Sequence, residues 1–165
     1  MKNSVLFKTL IDFLFFLHAF AFPGFLVMLP LGTSTNIEFT FDVENWTLMY
    51  WAFLILSLTV YVTFLRGLYF LRKVARLLLS KKYFTQEFIS NMKTTGTHFL
   101  IAGTLYFVLL LGIWINKLTI GQFELKYNTN VITPLFICII GLFFIIQSRT
   151  FTLAKKFKEE NELTV

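Results

Sequence analysis

Cysteine is nearly absent from this chain: the only one is Cys138. One thiol closes no internal disulfide, and metal sites built on paired cysteines are excluded with it. Histidine is almost as scarce; His18 and His98 stand far apart with no third ligand in view, so no metal is expected. No nucleophile–base pair, phosphate-binding loop or paired-carboxylate motif occurs in the polar segments. Enzymatic chemistry is therefore not expected, nor is a cofactor.

Apolar residues, in contrast, are abundant. They make up 56% of the 165 residues, Phe alone occurs 22 times, and the mean hydropathy is +0.71. A soluble domain of this length exposes too much surface to hide such a composition. The reading is an all-α integral membrane protein folded as one domain over residues 1–165.

Four apolar runs reach the roughly 20 residues that a helix needs to cross a bilayer. They cover about residues 10–31, 46–65, 97–115 and 131–147. The first run begins like a signal peptide, with Lys2, Lys8 and the small-residue pair Ala19 and Ala21. It continues past that point to Leu31, and Phe22-Pro23 is a poor start for a mature chain, so it reads as a retained span.

All 15 basic residues except Lys117 and Lys126 lie in three places: the N-terminal tail, the segment 66–96 and the tail 148–165. The positive-inside rule then predicts both termini and the middle loop on the cytoplasmic side of a bacterial inner membrane. The net charge of +6 is explained by topology, and direct nucleic-acid binding is not expected. Trp46, Tyr50, Trp51 and Trp114 fit an outer aromatic belt.

The outer loops, 32–45 and 116–130, carry alternating patterns. Ile37, Phe39, Phe41 and Val43 alternate with Glu38, Thr40, Asp42 and Glu44, and Leu118 to Tyr127 alternates more loosely. Period-two alternation predicts strands, expected to pair as a small extracytoplasmic β cap; two extended loops on the lipid interface are the alternative. The inner side reads as helical. Leu68, Leu71, Ala75 and Leu78 continue the second span, Thr85 caps a new helix with Gln86 and Glu87 in its first turn, and the fourth span runs on through Phe151, Ala154 and Phe157. The two halves share this plan, which is compatible with a parallel duplication.

Ionisable groups within spans are functional candidates by default. Asp12 lies one turn from Lys8 and reads as an interfacial ion pair, with a buried proton carrier as the alternative. His18, near mid-span, is expected to hydrogen-bond a neighbouring helix, and His98 to face Thr94 or water. Cys138 reads as a small buried residue. Pro23-Gly24 predicts a kink or break in the first span, whereas Pro134 falls harmlessly in a first turn.

The last residues are polar. Lys155, Lys156 and Lys158 suit anionic headgroups, and Glu159, Glu160 and Glu162 push the end off that surface. Three readings stay open for Glu159, Glu160, Asn161, Glu162, Leu163, Thr164 and Val165: a frayed end, a peptide that docks in a partner, or a clasp. The clasp would use Arg72, Arg76, Lys81 and Lys82, which are also placed to meet anionic lipid.

Tyr83-Phe84-Thr85 with Glu87, then Met92-Lys93 and Gly96, and above all Glu159 to Val165 at the end, resemble the bacterial four-span membrane family known as domain of unknown function 2975. The layout covers nearly the whole chain, and the tail is its more specific part. Phe88 departs from the pattern, where Asn is expected. The resemblance implies no activity; family members are often encoded beside a small helix-turn-helix regulator, which implies a cytoplasmic protein partner or a shared circuit. The expectation is a non-enzymatic regulatory or interaction protein with a cytoplasmic docking face. The alternative is a small transporter or channel subunit, oligomeric, that uses Asp12, His18 and His98.

Overall fold

The computed structural model describes residues 2–28, 48–119 and 131–163. They form four helices: α1 (Lys2–Met28), α2 (Leu48–Leu79), α3 (Gln86–Thr119) and α4 (Ile132–Leu163). Each is long and apolar enough to cross a membrane. Helix is the answer that lipid imposes, because every backbone N–H and C=O must be satisfied within the segment. The spans' hydroxyls follow the same rule. Ser57, Thr95 and Thr104 donate to the carbonyls of Phe53, Asn91 and Leu100 on their own helices, each at 2.8 Å.

The helices extend well beyond the apolar runs. α1 starts at Lys2 rather than near residue 10, and α4 does not stop at residue 147. α1 also runs unbroken through Pro23; the expected break is absent, and proline's missing N–H deprives only one carbonyl of its partner. No strand occurs among the described residues. Leu118 and Thr119, expected to open the second outer strand, are the last residues of α3; the rest of the β cap falls outside the described residues.

Successive helices are antiparallel. Asp12 meets Arg72 while His18 meets Tyr61; Gly67 meets Phe99 while Gly112 meets Phe53; Gly96 meets Gly141 while Gly103 meets Pro134. One end of the bundle therefore gathers the start of α1, the α2–α3 turn and the end of α4. It also gathers most of the charge.

That turn is tightly built. Lys82 N–H donates to the Leu77 carbonyl at 3.0 Å and Lys81 N–H to that of Leu78 at 3.2 Å, the Schellman pattern. Its left-handed residue is Lys81, with φ 56°, where glycine is customary. Thr85 then starts α3: its Oγ1 accepts from Phe88 N–H at 3.3 Å and donates to the Lys82 carbonyl at 2.9 Å. The expected cap is present.

Two apolar clusters hold the bundle. Ile11, Leu68, Leu71, Ala75 and Phe99 form one, flanked by Phe15, Phe64, Ile137, Ile140 and Phe144. Val74, Phe88 and Met92 form the other, against Phe151 of α4. Phe88, the departure from the family pattern, is wholly buried there, 5.2 Å from the Phe151 ring centroid.

Candidate functional site

The charged end holds the candidate functional residues. On α1, Asp12 bonds two cations: Lys8 Nζ at 2.8 Å, one turn earlier, and Arg72 Nε of α2. The Lys8 pair was legible from the i,i+4 spacing. The Arg72 pair was not; sixty residues separate it from Asp12. Arg72 belongs to the α1–α2 interface, where its guanidinium lies 4.5 Å from the Phe16 centroid and 5.3 Å from that of Phe15. Lys73 Nζ lies over Tyr69 at 4.8 Å.

A second aromatic group lies further along the same interface. The His18 ring donates through Nδ1–H to its own helix, at the Leu14 carbonyl, 2.9 Å away. The bond that crosses to α2 uses His18's backbone instead: Tyr61 O–H donates to the His18 carbonyl at 2.9 Å. Tyr61 also stacks on Phe25 and Phe22, with centroids 4.8 and 5.6 Å apart. Sequence reasoning overlooked Tyr61; its position two turns before Tyr69 carried no distinctive signal. His98 bonds the Thr94 carbonyl at 2.8 Å, as expected, and packs on Phe70. Asp12, His18 and His98 thus each have separate surroundings. Cys138 is half-buried on the α3–α4 seam, with Sγ 3.8 Å from the Leu100 carbonyl. No cluster of three metal-ligating side chains occurs among the described residues.

The polar tail is helix, part of α4 as far as Leu163; Thr164 and Val165 fall outside the described residues. Glu159 and Glu162 pair along their own helix, with Lys155 and Lys158, at 3.6 Å each. These solvent-exposed pairs contribute little. What joins α4 to the turn is aromatic. Phe151 packs on Phe84 and Phe88, and Lys158 Nζ lies 5.6 Å from the Phe84 centroid. Beside this contact an open groove of about 720 Å³ is lined by Phe84, Ala154, Phe157, Lys158, Asn161 and Glu162. Leu163 stands 87% exposed at its end. Arg76, Lys81 and Lys82 are exposed.

The family model described as protein of unknown function (DUF2975) matches residues 35–165. The chain belongs to this family. In this DUF2975 member α2, α3, the turn and α4 fall within the match, and α1 precedes it. A search of curated proteins and one of solved structures each return no match. With four membrane-length apolar helices, this DUF2975 chain is a multi-pass membrane protein.

Proposed function

We propose that this protein is a non-enzymatic regulatory or interaction protein of the bacterial inner membrane, with its charged end in the cytoplasm. The observation that carries this reading is the continuation of α4 beyond its apolar stretch. It forms the groove of Phe84, Ala154 and Phe157 next to the exposed Glu162 and Leu163. The basic residues gathered at the same end support the orientation. In this reading the groove and the end of α4 form a docking face for a cytoplasmic protein. Leu163, Thr164 and Val165 make apolar contact, and Glu159, Glu160 and Glu162 select a basic partner surface. By family resemblance a small helix-turn-helix regulator is the candidate partner.

The test is in-cell crosslinking of the intact chain beside one that ends at Lys158, with a synthetic peptide of residues 155–165 as competitor. The expected result is a cytoplasmic protein held by the intact chain, absent from the shortened one and displaced by the peptide. Equal recovery from both chains would overturn the docking role of the tail.

A further inference from the structure

We infer that the groove between α3 and α4 at the charged end is a binding site for the phosphate of an anionic phospholipid. The groove, about 350 Å³, is lined by Gln86, Ile89, Ser90 and Lys93 of α3 and Ile145, Ser148, Arg149 and Thr152 of α4. This site is independent of the docking face.

The chemistry is that of an anion site. Ser148 and Thr152 have already donated their hydroxyl protons, to the Ile145 and Ser148 carbonyls. The remaining donors are the Lys93 ammonium, the Arg149 guanidinium, the Ser90 hydroxyl and the Gln86 amide. None of these side chains has a hydrogen bond or ion pair among the described residues. No carboxylate lines the groove. A cation pair with neutral donors around it fits a phosphate, and the planar guanidinium matches two of its oxygens.

Depth identifies the phosphate as a lipid's. From Lys93 to Lys117 α3 has no other Lys, Arg, Asp or Glu, and a helix of that length rises roughly 35 Å. From Arg149 back to Ile132 α4 is likewise uncharged. Its rise there is roughly 26 Å. Both match a hydrocarbon core of about 30 Å, so Lys93 and Arg149 share one level at its edge, where headgroup phosphates lie. Away from the groove the same helix faces continue as Thr97, Ile101, Thr104 and Val108 on α3, and as Leu142 and Leu135 on α4. All six are exposed, and the hydroxyls of Thr97 and Thr104 are bonded to their own helix. An acyl chain has a continuous surface to follow there; a soluble anion has no use for it.

Native mass spectrometry of the full chain in detergent tests this, with dioleoyl phosphatidylglycerol, dioleoyl phosphatidylcholine or inorganic phosphate as the probe. Phosphatidylglycerol is expected to bind in preference to phosphatidylcholine. K93Q/R149Q should bind it about thirtyfold more weakly, since each of the two basic residues near such a surface contributes about 1 kcal/mol. K93R should retain binding, which separates lost charge from lost folding. K2Q/K73Q removes as much charge elsewhere at the same end, from residues outside the groove, and should change little. An equal loss from K2Q/K73Q, no loss from K93Q/R149Q, or displacement of the lipid by millimolar inorganic phosphate would each overturn the assignment.

Discussion

The α1–α2 and α3–α4 interfaces solve the same packing problem by opposite means. Between α3 and α4 the backbones nearly touch. A Cβ added at Gly141 would stand 2.6 Å from the Leu100 nitrogen, and one at Gly96 2.6 Å from the Gly141 carbonyl. The buried residues of α4, Pro134, Gly141 and Ser148, are small and recur every seven positions. Between α1 and α2 there is no such seam. Gly24 of α1 has open space around it, and Ile11 is its only buried hydrophobic residue among those described. Large rings, one ion pair and one Tyr61 hydrogen bond hold it instead. In lipid, where burial of apolar surface gives helices little reason to associate, close packing is the stronger attachment and polar contacts are the more selective one. α1 is thus a specified but loosely held helix on a three-helix body, and it is also the helix that precedes the family match.

The largest break expected is at the seam. Gly141→Leu forces backbone apart at Leu100 and should cost at least about 3 kcal/mol; thermal unfolding of purified protein, or the monodisperse fraction by size exclusion, reads it. Next is Arg72→Ala, which leaves Asp12 with Lys8 alone. A loss of about 1–3 kcal/mol should appear as faster hydrogen exchange in α1, with α3 and α4 unchanged. A uniform rise across all four helices would deny that α1 is held separately. Tyr61→Phe removes one hydrogen bond and keeps the ring stack, so about 1 kcal/mol should be lost by the same measurement, again in α1. Lys81→Gly goes the other way. Relief of the left-handed backbone at the turn should stabilise the protein by up to about 1 kcal/mol, visible as a small upward shift in melting temperature.

Legibility divided along the same line. Number, order and antiparallel arrangement of the helices follow from apolar length and loop charge, and the Thr85 cap from a local spacing. The Lys8–Asp12 pair is one helical turn long and so could be read directly. The Arg72–Asp12 pair and the Tyr61–His18 bond join residues far apart in the chain, and no periodicity encodes which faces of two helices meet. No break occurs at Pro23, because the missing N–H is a local signal, whereas the continuity of α1 is decided by all of its other hydrogen bonds. The run of α4 through Phe151, Ala154 and Phe157 follows from their helical spacing, but its extension to Leu163 does not, because only polar residues stand between Lys158 and Leu163. The α3–α4 groove escaped notice because Lys93 and Arg149 were counted for topology and not compared across helices.

The Asp12–Arg72 pair also has a consequence in time. Ribosomes add about 5–20 residues per second, and the two partners are sixty positions apart. For roughly 3 to 12 s of synthesis, Asp12 exists while Arg72 does not. Through that interval Lys8, already made and one turn away, is the counterion at hand. Its place in the cluster is that of a nursemaid to the carboxylate, which α2 later relieves.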